Sequence, residues 1–236
     1  MSQLIQFHHV SKNYKNKTAI DDITLAIPPG KIIGLLGPNG SGKTTFIKLL
    51  NGLLQPSCGE IVIDGYHPSV KTKKIISYLP DTSYLQENLK IRDTLAFFKD
   101  FYEDFNLEKA NRLLKDLKLD CNQTLSSLSK GDKEKIQLLL VMSRQAKLYI
   151  LDEPIGGVDP AARDYILRTI INNYSEDASV LLATHLISDV EPILDEVILL
   201  NNGQMILQGN CDDLREKHSK SIDRLFRDIY KITREA

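Results

Sequence analysis

Apolar residues along the chain fall into short runs whose period changes several times, and each change marks a different kind of element. Ile5 to Val10 and Ala19 to Ile27 alternate apolar and polar positions, which predicts two strands with one buried face. The polar stretch Asn13 to Lys17 separates them and Pro28-Pro29-Gly30 closes the second, so they read as a hairpin leading into the rest of the fold. Lys31 to Leu36 is almost continuously apolar, as expected of a parallel strand covered on both faces. Thr45 to Leu53 repeats at helical spacing, with Phe46, Ile47, Leu49 and Leu50 inward. Glu60 to Ile63 ahead of Asp64-Gly65, and Ile75 to Leu79 ended by Pro80, read as two further short strands.

From about Ile91 to Ala146 the period is helical. Leu95, Phe98, Tyr102 and Phe105 form one stripe, and Leu113, Leu114 and Leu117 a second. Lys147 to Leu151 and Val180 to Ala183 return to short apolar runs that fit central parallel strands, with a helix from about Ala161 to Tyr174 between them. Glu196 to Leu200 and Gln204 to Gln208 flank Asn202-Gly203, a strong hairpin signal. From Asp212 onward a charged helical tail carries Leu214, Leu225, Phe226 and Ile229, placed either to cap the core or to touch a partner. The pattern predicts an α/β fold with a mainly parallel sheet, an N-terminal antiparallel β subdomain and an α-helical subdomain inserted at about 82–146. It predicts one domain over 1–211 and a helical tail over 212–236.

Composition narrows the partners. The chain has 236 residues and a net charge of -1, with no basic block that would track a nucleic-acid backbone, so no nucleic acid is expected. Cys58, Cys121 and Cys211 lie far apart, which fits a reducing compartment and three buried small apolar residues rather than zinc or a disulfide framework. No apolar run approaches the roughly 20 residues that span a bilayer, and the first residues lack a charged-then-apolar signal, so a cytoplasmic location is expected. His8, His9, His67 and His218 have no placement that suggests chemistry.

The chemistry begins at Gly37-Pro38-Asn39-Gly40-Ser41-Gly42-Lys43-Thr44-Thr45, which matches the phosphate-binding pattern G-x-x-x-x-G-K-[ST] between a predicted strand and a predicted helix. Glycines let the backbone approach phosphates, so that N–H groups and the helix N-terminus point at the anion. Lys43 would then reach the β- and γ-phosphate oxygens of ATP, and the Thr44 hydroxyl would bind Mg²⁺. The apolar run Leu148 to Leu151 ends in Asp152 and Glu153, at the strand end where open α/β sheets bind ligands. Asp152 suits Mg²⁺, directly or through water, and Glu153 is the candidate base toward an attacking water.

With these motifs in place the chain resembles the ATP-binding cassette (ABC) ATPases over nearly its whole length. Leu128-Ser129-Lys130-Gly131-Asp132 resembles the family signature LSGGQ, with Lys130 and Asp132 as departures and with Ser129 and Gly131, which face phosphate in the family, retained. Ser129 also reads as a plain N-cap for a helix over Asp132 to Ser143. Gly156-Gly157-Val158-Asp159-Pro160 resembles the D-loop, and His185 after Ala183-Thr184 matches the switch histidine. Tyr14 matches the aromatic that stacks on adenine, or else is a strand-edge tyrosine. Tyr78-Leu79-Pro80-Asp81 departs from a pattern that ends in glutamine. Asp81 takes that position toward the metal, unless it is a turn residue facing solvent or Gln86 serves through a shifted loop.

The resemblance implies a P-loop ATPase that uses ATP and Mg²⁺ and closes head to tail with a second cassette, identical or paralogous. It also implies a separate membrane permease, which would hold the chain against the inner face of the cell membrane. The aromatic cluster Phe97, Phe98, Phe101, Tyr102 and Phe105 reads as core packing or as a docking groove for that permease. Pro80-Asp81, the Ser-Lys-Gly-Asp variant and the tail beginning at Lys220 resemble small bacterial exporter cassettes of the ABC-2 type. A soluble ABC protein without a permease, of the iron-sulfur assembly type, is the alternative.

Overall fold

The protein is described by a computed structural model over residues 3–15, 17–175 and 177–235, with side chains up to Tyr230. Met1, Ser2, Asn16, Glu176 and Ala236, which belong to the expected domain, hairpin break and tail, lie outside the described residues. In chain order the elements are β1 (Ile5–Tyr14), β2 (Lys17–Ile27), β3 (Ile32–Leu36), α1 (Lys43–Leu50), β4 (Cys58–Ile63), α2 (Val70–Ile75), β5 (Ile76–Leu79), α3 (Ile91–Phe101) and α4 (Leu107–Asp116). They continue with α5 (Lys130–Met142), β6 (Leu148–Asp152), α6 (Pro160–Asn173), β7 (Ser179–Thr184), α7 (Ile187–Val190), β8 (Glu196–Asn201), β9 (Gln204–Asn210), α8 (Cys211–His218) and α9 (Ile222–Glu235).

Two sheets organise these elements. The alternating N-terminal strands form a three-stranded antiparallel sheet in the order β2-β1-β4. The continuous apolar runs form a six-stranded sheet, β5-β6-β7-β3-β8-β9, parallel except for the β8-β9 hairpin. The difference in pattern has a packing cause. In β3, Ile33 and Leu35 face a core shared with α1 and the antiparallel sheet, where Phe7 stacks on Phe46 at 4.5 Å between ring centroids. Ile32 and Leu36 face the opposite core, with α5, α6 and the tail. A strand buried on both faces has no polar position to alternate with.

Helix α5 joins core and lobe, which explains why its buried half, from Ile136 to Met142, shows no polar face. Leu138, Val141 and Met142 belong to the sheet core, whereas Ile136, Leu139 and Leu140 belong to the lobe core with Leu95, Leu113, Leu114 and Phe105. The tail caps the sheet core. Leu214 and Ile222 are part of it, Phe226 and Ile229 pack against it, and Glu191 accepts from the N–H groups of Ile222 at 2.9 Å and Asp223 at 3.1 Å, closing the first turn of α9. Among the described residues no helix is long and apolar enough to cross a membrane.

Several local expectations are corrected. The strands of the first hairpin extend beyond their alternating centres, to Tyr14 in β1 and from Lys17 in β2. Helix α1 starts at Lys43 and stops at Leu50, because Gly52 at φ 61 turns the chain before Leu53. Helix α2 escapes the periodicity because Val70–Ile75 is six residues with three lysines and only Thr72 buried. The aromatic stripe is not one helix: α3 ends at Phe101, and Phe105 lies beyond it. The cause is Arg144, which is 4% exposed and holds Asp104 by two bonds of 3.0 Å while donating to the carbonyl of Ile76 at 2.6 Å. That clasp holds Tyr102 to Phe105 in a turn closed by the Phe105 N–H on the Tyr102 carbonyl at 3.0 Å, and Phe98 still packs on Tyr102 and Phe105. Cys58 is exposed on β4 and Cys121 is half-buried, so only Cys211 is the buried apolar residue expected of all three.

Candidate functional site

The parallel register brings three strand ends to one edge. Leu36 pairs with Thr184 and Asp152 with Ala183, so β3, β7 and β6 release their next residues side by side at the carboxyl edge of the sheet. From β3 the chain enters the glycine loop. Gly42 has φ 114, and a Cβ there would stand 2.6 Å from the carbonyl oxygen of Ala19, so both conformation and space require glycine. At Gly40, by contrast, a Cβ would meet nothing within 4 Å, since that side of the loop opens into a cleft of about 320 Å³.

Lys43, the first residue of α1, is 7% exposed and donates to the carbonyls of Gly37 at 2.7 Å and Pro38 at 3.3 Å. Burial pulls its pKa down, while the carboxylates of Glu153 and Asp152 act in the opposite sense. The hydroxyl of Ser41 is buried with no hydrogen-bond partner among the described residues. A helix N-terminus, an open glycine face and an unpaired buried hydroxyl together fit a phosphate chain.

The acidic wall is built from β6. Asp152 is 4% exposed, and its carboxyl is pushed up to about 6 by burial first and then by the like charges of Asp81 and Glu153, with Lys43 opposing. Such surplus negative charge fits a divalent cation, and Asp152, Asp81 and the exposed Thr44 line the cleft where one could be held. Glu153 follows at φ 51, a left-handed backbone that costs a non-glycine residue on the order of 1 kcal/mol or more. Its N–H bonds the carbonyl of Ala183 at 2.8 Å, so the turn is pinned to the end of β7.

The Glu153 side chain is then clamped twice: Thr184 Oγ1 donates to Oε2 at 2.9 Å, and His185 Nδ1 donates to Oε1 at 3.0 Å. Thr184 in turn accepts from the N–H of Leu186 at 3.1 Å, which directs its proton at Glu153. With Nδ1 donating to Glu153, Nε2 of the 47% exposed His185 side chain is left to face a ligand. The sequence motifs do not single out Thr184 for a role, and its signal there is a hydroxyl that follows the apolar run Val180 to Ala183.

The structure brings together Tyr14, Asn39, Gly40, Gly42, Lys43, Thr44, Thr45, Asp81, Asp152 and Glu153 around the one cleft, with His185 bonded to Glu153. Gln86 does not line the cleft and sits in a surface turn, where its carbonyl accepts from Leu89. Ser129 and Gly131 do not line it either. In this chain Ser129 caps α5, accepting from the Asp132 N–H at 3.1 Å and donating to its carboxylate at 2.7 Å. Tyr14 is 47% exposed at the rim, with its ring 5.6 Å from Lys12 Nζ. Its π-face is available to a base, so Tyr14→Ala should weaken ATP binding by about 5- to 150-fold. An unchanged Kd by titration calorimetry would return the ring to the sheet edge.

Comparison with known proteins agrees with this geometry. Residues 20–156, more than half of the chain, match the ABC transporter family. The SkfA peptide export ATP-binding protein SkfE of Bacillus subtilis is 32% identical over 210 residues, covering 86% of this chain and 88% of that protein. The Nod factor export ATP-binding protein I of Rhizobium etli is 28% identical, covering 89% and 69%. A solved ATP-binding subunit of an ABC transporter superposes with a TM-score of 0.86 at 28% identity, covering 96% of this chain and 99% of that one. A sheet edge that gathers a phosphate loop, a paired carboxylate strand and a histidine is thus found in a chain whose relatives are ATP-binding subunits, and the protein belongs to the ABC transporter family as an ATP-hydrolysing cassette.

Proposed function

We propose that this cassette powers an exporter, closing head to tail with a second cassette, a like copy or a paralogue, around two ATP molecules. The observation that carries the pairing is the division of the site. Lys43, Thr44, Asp152, Glu153 and His185 surround one cleft, whereas Ser129 and Gly131 lie at the start of α5 and do not reach it. A second cassette turned about a two-fold axis would supply them, each copy completing the other's site. Mg²⁺, when bound, would neutralise phosphate charge, and Thr44 and Asp152 would hold it. Lys43 binds phosphate oxygens, Glu153 positions and deprotonates water, and Thr184 and His185 hold Glu153 in place.

A membrane permease would dock in the groove of about 520 Å³ between lobe and core, where Phe97 and Phe101 remain 57% and 67% exposed beside Tyr84 and Leu53. Such docking would hold the cassette at the inner face of the membrane. The export direction is suggested by the relatives named for peptide and Nod factor export. Co-purification from detergent-solubilised membranes tests this reading: a multi-span membrane protein recovered with the wild type and lost with Phe97→Ser/Phe101→Ser supports it. Recovery of the cassette alone from both removes the permease.

Asp81 is exposed yet lines the cleft, and its charge acts on Asp152. A neutral amide there would remove repulsion from the γ-phosphate and from Asp152, and also an attraction for the metal. Asp81→Gln should therefore raise basal ATPase on the order of 3- to 10-fold and flatten its Mg²⁺ dependence. Superimposable rate curves against Mg²⁺ would leave Asp81 as a turn residue.

A further inference from the structure

Away from the ATP cleft, α4 and α6 both pack on α5 and leave a concave space of about 460 Å³ between them. Lys109, Arg112 and Lys115 of α4 and Arg168 of α6 line it, and among the described residues that line it Asp116 is the single carboxylate. Spacings of three along α4 put Lys109, Arg112 and Lys115 on one side of that helix, and Arg168 enters the lining from α6, so Arg112 and Arg168 belong to different walls. None of the four cations is ion-paired with a described carboxylate. Elsewhere in the molecule Lys133 pairs with Glu87, Arg163 with Asp189 and Arg215 with Glu191.

The concentration of charge has a cost. Lys109 is half-buried and donates to the carbonyl of Asn173 at the end of α6, and burial followed by the charge of Arg112 pulls its pKa down to about 8. A fold of net charge -1 thus gathers four cations around one concave space, Lys109 half-buried and Arg112, Lys115 and Arg168 exposed, an arrangement that an anion would relieve. The donors also select the kind of anion. Planar guanidinium forks from two walls match two phosphate groups better than one carboxylate, and the Tyr165 phenol, kept protonated by burial, adds a neutral donor.

We infer that the cleft between α4 and α6 is a second ligand site, separate from the ATP site, for a compact soluble anion carrying two or more phosphate groups.

Pyrophosphate is the probe, titrated without metal into the ¹⁵N-labelled chain while backbone amides report location. The phosphate loop will respond as well, and its amides at Gly40 to Thr44 serve as the internal control. Amides of residues 109–116 and 165–173 should shift with a Kd below about 1 mM. In Arg112→Gln/Arg168→Gln that second response should weaken about tenfold or more, with the loop response unchanged, and Arg112→Lys/Arg168→Lys should recover part of it. Shifts confined to the phosphate loop, or a groove response of equal affinity in the glutamine variant, would overturn the site. Sedimentation with phosphatidylglycerol vesicles that depends on the two arginines, without any groove response to pyrophosphate, would overturn the soluble ligand in favour of a lipid headgroup.

Discussion

Glu153→Gln is expected to lower ATP turnover by about 10²- to 10⁴-fold while leaving ATP affinity within a few-fold of wild type. The amide keeps the shape of the carboxylate, so the strained turn at φ 51 and its anchor to Ala183 should persist. What changes is the hydrogen-bond polarity around it. Thr184 and His185 both donate to the carboxylate, and an amide offers one acceptor and one donor. His185 can answer by moving its proton to Nε2, so the side chain stays held but can no longer accept a proton from water. Because ATP still binds and is not cleaved, the proposed head-to-tail pair should accumulate. Size-exclusion chromatography with ATP should show a dimer for Glu153→Gln and a monomer without nucleotide. A variant that turns over ATP at the wild-type rate would remove Glu153 from its role.

The same neighbourhood shows which parts of the molecule a sequence discloses. The glycine loop, the acidic strand end and the two-sided burial of β3, β6 and β7 are local consequences of residue type, so spacing alone placed them. The clamp on Glu153 is not local. It requires β6 and β7 to be neighbours, a pairing between residues about 30 apart that periodicity does not encode. The break after Phe101 is of the same kind. Helical spacing continues through Phe105, but a buried Arg144 some 40 residues downstream captures Asp104 and overrides local preference. Short polar helices such as α2 are lost for the opposite reason, since too few of their residues are buried to leave a pattern. The cleft between α4 and α6 was invisible because its cations come from two helices more than 50 residues apart and look, along the chain, like ordinary solvated charges.

The second large effect should run in opposite directions for stability and for function. Asp152 is buried beside Asp81 and Glu153, and its carboxyl is raised to about 6 against an ordinary value of 3.8. The folded state therefore holds a proton more tightly than the unfolded chain, so this residue contributes stability at acid pH that is lost as pH rises through roughly 4 to 6. At pH 7 the ionised group stands as a net cost on the order of 1 to 3 kcal/mol in the nucleotide-free protein. Asp152→Asn removes the charge and keeps the shape, so it should raise the Tm of the nucleotide-free protein at pH 7 by about 3 to 10 °C. Its own share of the stability change between pH 4 and 6 should vanish. On the proposed reading the same surplus of negative charge would draw in a cation, so the variant should lose most of the added thermal protection that Mg²⁺ gives beyond ATP alone, together with at least about 10²-fold in ATPase activity. Calorimetric scans at pH 4, 6 and 7, with and without ATP and Mg²⁺, measure the stability effects, and an ATPase assay measures the rate. A variant less stable than wild type at pH 7 would mean that Asp152 is held by attraction to Lys43 rather than strained by its acidic neighbours, and the electrostatic origin of the cation site would then be wrong.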